Sequence, residues 1–341
     1  MSDLNTNQTG AGPLGLAGGG SSLGPLPRGV IVPTQQGAPT QTTPPLRVTE
    51  PDVSTKQNIG QPVLLPLSVA LFDQSTNKPA PTEVIQGFIL NCPLGAVLMA
   101  IAVTKPTRIS SMISETVGQV ESVARSAPNK VIATTKRIIK VTIPSGAQIT
   151  TSSLIYQNPG VNNATVKSTS PPEMIFAHTA GNPVSGSSWV AFIEKAYALA
   201  KQNSTNGFGY NSLDHPDPAE VMLDFVGNFQ HVDVPNKQVF PKGGGQATTS
   251  KKLTDPQLDQ HILGIVNTAG AKAAIACTID NPTHPSLFGN HCYAVVSFSG
   301  GKIQLRNALV NPTQSSLQFG RNHAVTMAEL KANFVVVMQE N

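Results

Sequence analysis

The sequence predicts an α+β fold, and three observations carry that prediction. Most expected helices (93–103, 106–126, 189–201, 217–225) precede most expected strands (273–278, 292–298, 303–307, 335–338), so the two are largely segregated rather than alternating. An apolar run, Pro93–Val103, carries apolar side chains all round, as a helix in the middle of a core requires. Hydrophobic residues make up 39% of the 341, enough for a real core, while 29 Gly and 28 Pro call for long loops.

Composition narrows the classes of function. Only 12% of residues are charged, the net charge is +4, and no basic cluster is denser than Lys136-Arg137-Ile138-Ile139-Lys140. That stretch alternates as a strand with one wet face, so neither a nucleic acid nor a membrane surface is expected as a partner. The apolar run is too short to cross a bilayer. No basic segment followed by an apolar one opens the chain, so no signal peptide is evident. The expectation is a soluble monomer, cytoplasmic or exported without a cleavable signal. Three cysteines, Cys92, Cys277 and Cys292, always leave one over, which fits a reducing compartment or an exported enzyme that keeps a free thiol.

Residues 1–60 are rich in Gly, Pro, Ser, Thr, Asn and Gln without a periodic apolar face, and a disordered leader is expected there. The folded part is expected to begin near Pro62-Val63-Leu64-Leu65. After the central helix, Ile109, Met112, Ile113, Val117, Val120 and Ala124 give 106–126 a looser helical period. Lys136–Ile143 reads as a strand. Trp189–Lys201 reads as an amphipathic helix, with Trp189, Phe192, Ile193, Ala196, Tyr197 and Ala200 on one stripe and Glu194 and Lys195 off it. Asp217-Pro218-Ala219-Glu220 supplies an N-cap, a proline at the first helical position and a capping-box glutamate, with Gly227 ending the helix. Gly243-Gly244-Gly245 lies in a loop that does not fit a phosphate site. Pro256–Ala269 reads as a helix, Ala273–Thr278 as a strand, and Cys292–Phe298 with Ile303–Asn307 as a hairpin turning at Ser299-Gly300-Gly301-Lys302. Thr326–Phe334 closes the chain as a helix leading into a strand at Val335–Met338.

Chemistry enters at Cys92. A helix N-terminus carries partial positive charge, which favours a thiolate there. Pro93 suits the first helical turn and biases Cys92 away from the α region, leaving its N–H outside the helix's own bonds. That amide and the Gln86 side chain are candidate donors to an oxyanion, His291 the candidate base, and Asn307 the amide that orients it. Gly87 lets the loop pass close behind the site. Each residue also has an ordinary explanation: core packing for the cysteine, polarity at a strand start for the histidine, a turn for the asparagine. Zinc held by Cys277, His284, His291 and Cys292 follows no usual ligand spacing. Cys292 as nucleophile would point away from His291, since neighbours in a strand face opposite ways.

These residues carry a resemblance. Gln86-Gly87-Phe88-Ile89-Leu90-Asn91-Cys92 resembles the calpain-family signature around its active-site cysteine, and Trp189-Val190-Ala191-Phe192-Ile193-Glu194-Lys195-Ala196-Tyr197-Ala198 resembles that family's Trp-x-x-x-x-Glu-Lys-Ala-Tyr-Ala helix. Gly209-Tyr210 through Phe225-Val226-Gly227 is similar to the end of its first subdomain. Asn290-His291-Cys292-Tyr293-Ala294-Val295 resembles its Gly-His-Ala-Tyr-Ser/Ala-Val motif, and Ile303-Gln304-Leu305-Arg306-Asn307 its strand ending in Arg-Asn. Met327-Ala328-Glu329-Leu330-Lys331-Ala332-Asn333-Phe334 is similar to the end of the catalytic core. The resemblance spans about residues 62–341.

It implies a papain-like fold of two subdomains, a helical lobe at 61–228 carrying the cysteine and an antiparallel β lobe at 229–341 carrying His291 and Asn307. It implies a stand-alone bacterial catalytic core that hydrolyses peptide bonds of extended protein substrates through a Cys92–His291–Asn307 triad, with Gln86 and the Cys92 amide as oxyanion hole. The alternatives are a silent peptide-binding module and an acyl or amide transferase. The resemblance leaves calcium open, but the family's acidic calcium loops have no counterpart in the sequence, so no cofactor or metal is expected. The family's Gly-Asp before the cysteine is Leu90-Asn91 here, its following Trp is Pro93, and its Asn-Pro-Trp-Gly is Asn307-Ala308-Leu309-Val310. Without that indole the His291–Asn307 bond is expected to be wetter and weaker. Residues 104–135 read as an insertion. A two-residue turn at Gly300-Gly301 would put Asn307 opposite Ala294, on the face away from His291, so an irregularity is predicted between Gly289 and Val295.

Overall fold

A computed structural model describes residues 44–53, 62–73, 75–87, 89–158, 162–163, 168–169, 173–179, 186–201, 209–240, 250–309 and 322–341. Residues 44–341 form one compact unit, and the subdomain boundary expected at 228 falls inside it. The architecture is α+β. Its N-terminal strands are β1 (Leu46–Glu50), β2 (Val63–Pro66), β3 (Ile113–Ala124), β4 (Ala127–Thr142), β5 (Gln148–Ser152), β6 (Leu154–Asn158), β7 (Asn162–Asn163), β8 (Ser168–Thr169) and β9 (Glu173–Met174). Among them lie the helices α1 (Cys92–Thr104), α2 (Pro106–Met112), α3 (Trp189–Ala200) and α4 (Pro218–Phe225). The first part is therefore mixed rather than helical, with a four-stranded sheet in the order β1-β3-β4-β5.

The C-terminal part is an eight-stranded antiparallel sheet. Its strands are β10 (Phe229–Asp233), β11 (Gln238–Phe240), β12 (Lys251–Lys252), β13 (Ala274–Thr278), β14 (Cys292–Ser299), β15 (Lys302–Arg306), β16 (Asn322–Val325) and β17 (Phe334–Glu340), ordered β12-β11-β10-β17-β13-β14-β15-β16. Helices α5 (Asp255–Thr268) and α6 (Met327–Asn333) belong to this part, where 256–269 and 326–334 read as helical, and the structure places Thr254 and Thr326 at their N-caps. The sheet divides two cores by simple alternation. Ile275, Cys277, Cys292, Ala294, Val336 and Met338 face the core of α1, α3 and α4. Ala274, Ala276, Tyr293, Val295 and Val337 face the core of α5. Gly300 and Gly301, both at positive φ, make the turn between β14 and β15.

Four expectations are corrected. First, the leader does not run to residue 60 without structure: Leu46–Glu50 pairs parallel to β3, in register from Leu46↔Val120 to Glu50↔Ala124. The buried Val48 and Glu50 alternate with exposed neighbours, a pattern too short to stand out against the polar background. Residues 1–43 and 54–60 lie outside the described residues, as does Gly243-Gly244-Gly245. Second, the helical period of 106–126 stops at Met112. Apolar spacing of four, as in Ile113 and Val117, also satisfies a period of two, and the β-branched Ile113, Thr116, Val117, Val120 and Val123 favour the strand.

Third, Glu194 and Lys195 are not on a wet face. Both are fully buried in α3. Lys195 Nζ reaches Glu50 Oε2 at 2.5 Å and donates to the carbonyls of Ser152 (3.1 Å) and Leu154 (2.7 Å), while Glu50 Oε1 accepts from Ser122 and Ser152 hydroxyls. Strand β1 is therefore riveted to α3 by a dry ion pair. Fourth, Asp217 caps α4 through Ala219 N, but Glu220 turns to Lys201 instead of completing a capping box.

Glu50→Ala leaves the Lys195 ammonium buried without its counter-charge, and removing one partner of such a pair costs about 3–5 kcal/mol. Urea unfolding should show that loss. A change under about 1 kcal/mol would mean the pair contributes little.

Candidate active site

Helix α1 is apolar throughout, and from Cys92 to Ala102 every residue is buried. It packs against β13 and β14, which places its N-terminus at the start of β14. Cys92 is itself the first helical residue, contrary to the expectation that Pro93 keeps it outside, but its N–H is still among the four that an α-helix leaves without an intrahelical acceptor. Asn91 is the N-cap, and its carbonyl accepts from Leu94 N at 2.9 Å.

The Cys92 sulfur lies against the backbone around His291: it accepts from Cys292 N at 3.4 Å and donates to Asn290 O at 3.8 Å. Burial pushes the thiol up to about 11, partly countered by the amides of Cys292 and Cys92 directed at the sulfur. His291 Nε2 meets Asn307 Oδ1 at 2.7 Å, which leaves Nδ1 as the ring nitrogen for other work. Burial also pulls the imidazole down to about 4, opposed by the Asn307 bond and reinforced by nearby His323. At neutral pH each group, taken alone, is uncharged.

His291 and Asn307 share a face because the hairpin is irregular. Ala294 pairs with Arg306, not Asn307, owing to a register shift between Val295 and Ser297. The bulge thus falls at Val296, just beyond the predicted window, and Asn290 at positive φ turns the chain into β14 ahead of it. Thr278 fixes the other side: its Oγ1 accepts from His291 N at 3.0 Å and its N–H donates to His291 O at 2.9 Å. The imidazole–amide bond is not wet. His291 and Asn307 are 6% and 1% exposed, because the rings of Tyr293 (4.9 Å, edge-on) and Phe288 (5.6 Å) cover the imidazole in place of the missing indole.

Gln86 is joined to the same strand end. Its N–H donates to Ala308 O at 2.9 Å, and it forms a parallel bridge with Leu309. Its Nε2 spends one proton on Ile89 O at 2.7 Å, bracing its own loop. Two glycines permit this closeness: a Cβ on Gly87 would stand 2.3 Å from Ile175 O, and one on Gly95 2.8 Å from the Ala308 Cβ. His215 N, at positive φ, holds Leu90 O at 3.0 Å on the approach to Cys92.

All the predicted residues, Gln86, Cys92, His291 and Asn307, therefore gather where α1 meets β14 and β15. Thr278, Phe288 and Tyr293 were not anticipated; the Tyr in His291-Cys292-Tyr293 was legible as a same-face neighbour by period two, the other two were not. Cys277 and Cys292 face each other across β13 and β14 and are joined as a disulfide, which removes Cys292 as a nucleophile and both as zinc ligands. Among the described residues no group of three His, Cys, Asp or Glu side chains could hold a metal, and no helix is long and apolar enough to cross a membrane. No family model matches the chain, and a search of curated proteins found no matching relative.

Two outcomes are expected. Alkylation of unfolded protein with iodoacetamide should add one group without reductant and three after reduction, read by mass; three without reductant would remove the disulfide. His291 is neutral in the fold down to about 4, whereas an unfolded histidine binds a proton below about 6.5. The unfolded state then holds more protons between those values, so stability falls as pH drops from about 6.5 towards 4. Urea unfolding at pH 7 and 4.5 should show a larger loss for the wild type than for His291→Gln; equal losses would mean that the imidazole is not held neutral.

Proposed function

We propose that this chain is a cysteine endopeptidase, resembling the catalytic core of calpains and built on a papain-like plan in which the Cys92 helix and the His291–Asn307 hairpin face one cleft. The observation that carries the reading is the meeting of α1 and β14: one free thiol, at a helix N-terminus, lies against the backbone of a histidine whose Nε2 an asparagine already holds.

In this reading His291 Nδ1 takes the Cys92 proton as the sulfur attacks the substrate carbonyl carbon. The oxyanion accepts from the Cys92 N–H and a Gln86 Nε2 proton. Collapse expels the amine, which receives the proton back from His291, and leaves a thioester. Water, deprotonated by His291, then cleaves the thioester and restores the thiol. Asn307 keeps the imidazole in the tautomer that has Nδ1 ready to accept. The substrate is a protein or peptide in extended form, the enzyme acts as a monomer, and neither metal nor nucleic acid takes part. Of the two compartments that three cysteines left open, the Cys277–Cys292 bond favours export with a free Cys92 thiol.

A silent peptide-binding module on the same scaffold draws support from the raised Cys92 thiol alone. An epoxide probe directed at thiols separates the two. The enzyme reading expects labelling that disappears in Cys92→Ala and weakens in His291→Ala, with peptide hydrolysis falling about 10²- to 10⁴-fold in the latter. No labelling at any pH from about 5 to 9 would favour the silent module. Product joined to an added amine instead of water would make it a transferase.

A further inference from the structure

Glu194 is fully buried on α3, and among the described residues it has no ion-pair partner, since the neighbouring Lys195 turns to Glu50. A lone carboxylate in a dry core is costly, and burial pushes this one up to about 7. Both of its oxygens are nevertheless used, and by donors from outside its own helix. Oε1 accepts from the Asn91 side-chain amide, and Oε2 accepts from Ala177 N at 2.7 Å.

Those two donors lead to the two arms of the oxyanion hole. Asn91 precedes Cys92 and is held from three sides: its N–H by Ile89 O (2.8 Å), its carbonyl by Leu94 N and Gly95 N, and its side-chain amide by Glu194 rather than by the helix it caps. The Asn91 carbonyl and the Cys92 N–H belong to one planar trans peptide and point opposite ways. With the carbonyl aimed into the helix, the Cys92 N–H is aimed out of it. Ala177 lies in the segment that backs Gln86: His178 exchanges both backbone bonds with Ile85 (2.9 and 3.0 Å), and Ile175 and Phe176 sit against Gly87.

We propose that Glu194 is a positioning residue for the oxyanion hole, acting through Asn91 on the Cys92 amide and through Ala177 on the loop that carries Gln86. The inference rests on the peptidase reading above. Glu194→Gln would present an N–H where one donor needs an acceptor, so at least one arm would loosen while the thiol and imidazole keep their partners.

A peptide aldehyde and iodoacetamide test it together. The aldehyde adds to the thiol and builds an oxyanion, whereas alkylation by iodoacetamide releases iodide and builds none. In Glu194→Gln, aldehyde affinity and kcat should fall at least about tenfold, a fraction of the 10²- to 10³-fold lost with a whole donor, with KM and the alkylation rate of Cys92 within about twofold. Asn91→Ala should do the same, and the double variant should add little, because one contact is removed twice. Asn91→Ala carries the test where Glu194→Gln does not fold. Unchanged aldehyde affinity in the folded variants, or an alkylation rate that falls in step with kcat, would overturn the positioning role and leave the peptidase intact. A wild-type protein that neither binds the aldehyde nor is alkylated at Cys92 would instead overturn the peptidase reading, and this inference with it.

Discussion

The seating of one apolar helix on one strand pair sets the distances at the site. Helix α1 cannot rotate without exposing hydrophobic surface, since it has no polar stripe to offer solvent and each buried methylene is worth about 0.8 kcal/mol. Its N-terminus is therefore held at the start of β14, and the Cys92 sulfur is caught between Asn290 O and Cys292 N. The imidazole sits on the residue between those two groups. Any displacement that drew the sulfur away from the His291 backbone would first have to break the packing of α1 on β13 and β14, where the Cys277–Cys292 bond ties the strands together.

The second constraint is electrostatic. Three charged side chains, Glu50, Glu194 and Lys195, lie in the core around α3, and each spans elements far apart in the chain. Glu50 and Lys195 join β1 to α3 and, through Ser152, to β5. Burying such groups gives little net stability compared with apolar packing, but every alternative arrangement that strands one of them unpaired is heavily penalised. The result is a specified position for α3, and with it for the residues that contact Glu194. A helix with only apolar residues there could slide by a turn at small cost.

Much of this was legible in the sequence. The central helix, the α4 cap, the final helix and strand and the β14–β15 hairpin follow from apolar periodicity and turn chemistry, which are local properties. The four candidate site residues were legible too, through the likeness of their surroundings to calpain motifs. What escaped was whatever depends on contacts distant in sequence. Strand β1 is five residues whose pairing partner lies some seventy positions on. Ile113–Ala124 satisfied two periods at once, and only β4 decides between them. Glu194 and Lys195 read as solvent-facing because a single helix shows its own stripe and not the layers that enclose it from the other side. The bulge at Val296 sits in a run of β-branched and aromatic residues that gives no sign of where the extra residue lies.

The resting protonation of the site follows from burial of both partners. Taken singly, a thiol raised to about 11 and an imidazole lowered to about 4 are ill-suited to nucleophilic chemistry. Both shifts have desolvation as their largest cause, however, and desolvation acts against isolated charges. In the proposed reading, moving one proton from sulfur to ring creates both charges together, and attraction between opposite charges grows as the local dielectric falls. Further stabilisation comes from the Cys292 and Cys92 amides at the sulfur and from the Asn307 carbonyl oxygen at the ring, both of which favour the charged forms. In the proposed peptidase reading, the dry environment that opposes either ion alone would favour their joint appearance as a carbonyl carbon comes within reach of the sulfur.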